Sequence, residues 1–101
     1  MISFPKEEKY RQIDQMKRSS ASVCDNIAEG YGKFSFQSKI QSFYVARGEA
    51  MEIKNQLERS INKKFVTKNK AENLIKGYTE LIKGINGYIN YLRKEKENLV
   101  S

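Results

Sequence analysis

The chain has no histidine, no tryptophan, one cysteine and one proline in 101 residues. Without histidine it lacks the side chain whose ordinary pKa suits proton transfer near neutral pH, which leaves few routes to acid–base or nucleophilic catalysis. The same shortage, with Cys24 as the lone thiol, argues against zinc. One cysteine closes no internal disulfide, which fits a reducing compartment. No apolar run nears the roughly 18 residues that cross a bilayer. The start, Met1-Ile2-Ser3-Phe4-Pro5, has neither the basic nor the apolar region of a secretory leader. The expectation is a cytoplasmic protein that is not an enzyme and has no cofactor, no metal and no membrane contact.

Charge is plentiful and lopsided. Nineteen lysines and arginines against twelve acids give +7 and a pI near 9.5, a balance that favours polyanionic partners or serves solubility alone. Residues 1–61 carry ten basic and eight acidic side chains, whereas residues 62–101 carry nine and four. Most of the surplus therefore sits in the C-terminal part. With no break in composition, the length suits one domain with one core.

Strand-type alternation is absent, and helical periodicity runs through nearly everything. Pro5 with Glu7 and Glu8 opens a first helix, proline suiting a first helical position and the acids the positive end of the dipole. Ile13, Met16, Ser20, Val23, Ile27 and Tyr31 then share a stripe, and Gly30 and Gly32 end it as left-handed caps. Ser35 caps a second helix with Phe36, Ile40, Phe43, Ala50, Leu57 and Ile61 as its stripe, widened by Tyr44, Met51 and Ile53. After a connection over 62–66, Thr67 caps a third. Leu74, Ile75, Tyr78, Leu81, Ile85 and Leu92 are among its stripe, and its end frays from Arg93. The fold class is all-α, an up-and-down bundle with helices at about 6–30, 36–60 and 68–93.

Candidate sites each have an ordinary reading beside a functional one. Asp25 and Glu29 stand one turn apart as a carboxylate pair would, but opposite their helix's stripe, which suits solvated surface. Cys24, beside Ser20, Ala21 and Ala28, reads as packing rather than as a reactive thiol. Arg47 projects near the middle of the second stripe, and a guanidinium there needs a carboxylate or carbonyls; Glu29, or a carboxylate of another copy, is the partner expected, in an ion pair that fixes architecture. Gly77 and Gly84, one heptad apart, suggest close helix packing, since each costs about 1 kcal/mol relative to alanine in a helix. A polyanion surface would use Lys63, Lys64, Lys68 and Lys70, continued by Lys76, Lys83 and Lys94 on the polar side of the third helix; ordinary solvation explains the same lysines, and Glu72 and Glu80 interrupt them. Tyr31, Phe34 and Phe36 beside Lys33 suit base stacking, or else a loop tucked under the core.

Three strings, FPKEEKY at 4–10, NIAEGYG at 26–32 and VARGEAMEIKNQL at 45–57, follow one another in an order and spacing that resemble the bacterial four-helix bundle family called 23S rRNA-intervening sequence proteins. The resemblance carries specific motifs over about residues 4 to 60 and implies an up-and-down bundle that assembles into a five-membered ring. It also implies a further helix before the FPKEE-like segment. The family has no established catalytic residues, and it is similar in fold to the basic accessory protein of diversity-generating retroelements, a likeness of fold alone. Three helices with broad apolar stripes leave a bundle open on one side, so completion by oligomerisation is expected, as a pentamer if the resemblance holds. The leading expectation is a homo-oligomer that binds RNA or DNA without strong sequence specificity. The alternative is a scaffold or accessory subunit for a neighbouring enzyme, with a protein partner and no direct contact with nucleic acid.

Overall fold

The computed structural model describes residues 5–62 and 67–100. Among them are three helices and no strand: α1 (Pro5–Gly32), α2 (Phe36–Asn62) and α3 (Lys68–Val100). Short connections make successive helices antiparallel, so the ends of α1 and α3 share one end of the bundle with the start of α2. The Ser35 hydroxyl accepts a bond from the Ser38 amide at 3.1 Å while its carbonyl accepts from Lys39 at 3.0 Å, as a helix-capping serine should. The carbonyl of Thr67 likewise accepts from Ala71 at 3.0 Å.

Two helix ends depart from the sequence reading. Gly30 lies inside α1 rather than capping it, and its lack of a side chain lets the buried Phe43 ring approach. A methyl group built on Gly30 would stand 2.8 Å from Phe43 Cε2. The charged end of α3 continues to Val100 instead of fraying at Arg93, and Lys96 Nζ donates to Gln37 Oε1 of α2 at 2.7 Å.

The middle helix holds the other two apart. Both α1 and α3 pack along α2, and among the described residues no Cα of α1 lies within 8 Å of one in α3. The core reflects that plan. Ile40, Phe43, Ala46, Ala50, Ile53 and Leu57 of α2 are buried against Val23 of α1 and Ile85, Ile89 and Leu92 of α3. Ala46 and Ala50 have no exposed surface at all, since α2 is gripped on both flanks and small side chains mark its centre. The α1–α2 seam is more polar: Gln12 and Gln56 each bury a side-chain oxygen with no hydrogen-bond partner.

Candidate nucleic-acid interface

At 100° per residue, Lys76, Lys83 and Lys94 fall within about 20° of one line on α3, some 10 and 16 Å apart along the axis. All three are exposed. Lys83 Nζ lies 3.7 Å from Glu80 Oε1, an exposed pair of the kind that contributes little. Lys68 and Lys70, also exposed, belong to the far end of α3 and, two residues apart, project to nearly opposite sides. Lys68 there sits 3.9 Å from Glu72. Lys63 and Lys64 lie outside the described residues. Of the lysines singled out in the sequence that lie among the described residues, Lys76, Lys83 and Lys94 share one row on α3.

The string residues turn out to knit helices together. Asn26 Nδ2 donates to Glu49 Oε1 at 2.6 Å, joining the NIAEGYG string of α1 to the VARGEA string of α2, and Gly30 admits Phe43 between the same helices. Arg47 is half-buried and turned the other way. Its Nη1 donates to Asn86 Oδ1 of α3 at 2.7 Å, and its guanidinium carbon lies 4.8 Å from the centre of the Tyr44 ring. Within one chain, then, Glu29 is not its partner: Glu29 is an exposed residue of α1, whereas Arg47 occupies the flank of α2 that faces α3. A side-chain amide answers its need instead. Cys24 is exposed rather than packed, and Asp25 is exposed as well.

Because α1 and α3 stand apart, an apolar groove runs between them with α2 as its floor. At one end a cavity of about 380 Å³ is lined by residues that include Ile13, Met16, Leu57, Leu74 and Tyr78. At the other, one of about 590 Å³ is lined by residues that include Ile27, Tyr31, Phe43, Gly84 and Tyr88. Ser20 Oγ and Tyr78 Oη, 2.6 Å apart, bridge the two walls between them. From Ile13 to Tyr31 the groove extends about 27 Å at the helical rise. Gly77 and Gly84 line it, and a methyl group on either would meet nothing within 4 Å. Among the described residues, no helix packs on them.

The groove ends in aromatic side chains. Tyr31 packs edge-on against Phe43 with centroids 5.4 Å apart and lies 5.3 Å from Tyr88, which in turn lies 5.8 Å from Tyr91 at an interplanar angle of 31°. Partial burial raises the Tyr88 phenol above its ordinary value, with Tyr31 and Tyr91 acting in the same direction. Phe36 is half-buried against the core, but Phe34 stands wholly in solvent. The segment that includes Tyr31, Phe34 and Phe36 is thus only partly tucked under the core.

A model for the family described as 23S rRNA-intervening sequence protein matches residues 1–87. The match takes in all of α1 and α2 and reaches well into α3, beyond the motif-bearing residues 4 to 60. No curated protein and no solved structure matches the chain.

Proposed function

Since the chain belongs to the 23S rRNA-intervening sequence protein family, we propose that it acts as a non-enzymatic, basic homo-oligomer that binds RNA or DNA without strong sequence specificity. The observation that carries this reading is the row of Lys76, Lys83 and Lys94 on the outward side of α3, in a chain of net charge +7. A row of flexible ammonium groups on one helix matches the repeated charge of a phosphate backbone and reads no base edges, so it supplies affinity without sequence preference. Repetition of the row around an assembly would multiply the contacts. The family's description, which refers to 23S rRNA, points the same way.

Salt titration tests it. Affinity for a labelled RNA should fall linearly on a log–log plot as salt rises from 50 to 200 mM, with a slope of about −0.7 to −0.9 per phosphate neutralised. Replacing Lys76, Lys83 and Lys94 together by glutamine should flatten that slope. Affinity indifferent to salt, or none at all, contradicts the reading.

The open groove favours a second reading, in which the protein is a scaffold that holds a helix of an enzyme encoded nearby. Co-purification separates the two. A stoichiometric protein partner that survives nuclease treatment supports the scaffold, whereas co-purifying RNA lost on digestion supports direct binding.

A further inference from the structure

At the end of the bundle where α1 stops and α3 approaches its last turns, large aromatic surface is left in water. Tyr31 is 59% exposed, Tyr91 54% and Phe34 103%, while the Phe43 ring beneath Tyr31 is 2% exposed. Scattered apolar residues on a surface are ordinary, but Tyr31, Tyr88 and Tyr91 form a continuous run, with neighbouring centroids 5.3 and 5.8 Å apart. The run is braced from below, since both Tyr31 and Tyr88 rest against Phe43. Rings held in this way lose little freedom when a flat partner lies on them.

Cations flank the run. Lys94 follows Tyr91 by three residues and is therefore its neighbour on the helix surface, and it is the last member of the Lys76–Lys83–Lys94 row. Lys33 stands between Tyr31 and Phe34 in sequence and is exposed. Acids share this end of the molecule, Glu29 on α1 with Glu95 and Glu97 on α3. Lys39, Arg93 and Lys96 there add to Lys33 and Lys94, so the local balance stays positive.

We propose that this aromatic end, Tyr31, Phe34 and Tyr91 with Lys33 and Lys94, is a stacking platform for the unpaired bases of single-stranded nucleic acid, with the lysine row of α3 leading the backbone onto it. The inference rests on the nucleic-acid reading given above and makes it more specific. Only an unpaired base offers a free face to a tyrosine or phenylalanine, whereas a duplex presents charged backbone and edges. Stacking tolerates any base, which agrees with a surface that has phosphate-binding cations and no arrangement of donors for base edges. An aliphatic protein segment is a poorer match, because phenol hydroxyls and ammonium groups interrupt the apolar area.

Two substitutions at solvent-facing rings, Phe34→Ala and Tyr91→Ala, form the test, with thermal melting and sedimentation as controls on fold and assembly. Fluorescence anisotropy with a single-stranded oligonucleotide and the matching duplex provides the main readout. Each substitution is expected to weaken single-strand binding roughly 5- to 150-fold, the range spanned by the loss of one stacked base, with little change for the duplex and an unaltered salt slope. The chain has no tryptophan, so its tyrosine emission is directly visible and should be quenched by the single strand in the wild type, less so in Tyr91→Ala. Unchanged single-strand affinity in both variants overturns the platform while leaving the phosphate surface intact. A change in sedimentation with unchanged affinity overturns it in favour of a contact between copies. No binding by the wild type overturns the nucleic-acid reading itself, and the platform with it.

Discussion

A methyl group at Gly30 has no room, because the Phe43 ring is itself buried and pinned by Tyr31 and Tyr88. Gly30→Ala should therefore destabilise the fold by about 1–3 kcal/mol, as overpacking does in a filled core, and lower the melting temperature by at least 4 °C. A melting temperature equal to or above wild type would contradict the contact. Tyr88 supplies a pH signature. Its folded pKa is raised, so the unfolded chain ionises first: its contribution is complete below pH 10, the ordinary tyrosine value, and is lost as pH rises through the folded value. Denaturation between pH 9 and 12 should show Tyr88→Phe losing less stability than wild type across that window; equal losses would refute it. At this scale the sequence was least readable. A stripe widened to take in Tyr44 and Met51 has Arg47 near its centre, yet Met51 is exposed and the true centre is the pair Ala46 and Ala50. Arg47 thus belongs to a flank, and periodicity alone does not say whether a flank faces α1, which carries Glu29, or α3, which carries Asn86.

At the scale of the element, the 3.6-residue period located all three helices, because each must turn a stripe toward its neighbour. Their ends were harder to read. Glycine signals a cap or a close approach equally well, and a charged tail extends as helix when a cross-helix bond such as that from Lys96 to Gln37 holds it. The glycines of α3 are the instructive case. The heptad spacing of Gly77 and Gly84 suggests close packing, yet in the single chain they open onto the groove. If the groove stays empty in solution, Gly84→Ala adds only helix propensity and stabilises by up to about 1 kcal/mol. If a helix of another copy lies on it, as the oligomeric reading requires, the same substitution lowers the melting temperature and shifts the sedimentation profile to smaller species. The sign of that change decides.

For the whole molecule, fold class and surplus charge were both evident from composition and pattern, whereas the meeting of the lysine row with an aromatic end was not. Tyr31 and Tyr91 are sixty residues apart, and only the antiparallel course of α1, α2 and α3 brings them together on Tyr88. The groove is a consequence of the same course: with α2 in the middle, the facing walls of α1 and α3 are only partly covered, and each large apolar side chain there forgoes part of the roughly 1.5–3 kcal/mol that full burial contributes. Covering those walls with further copies is the first step of the function proposed above, and a repeated basic surface would be its result. Sedimentation velocity on the nuclease-treated protein over a range of micromolar concentrations tests the first step most directly. A species several times heavier than 11.8 kDa is expected; a monodisperse, cooperatively melting 11.8 kDa particle at every concentration would rule out assembly.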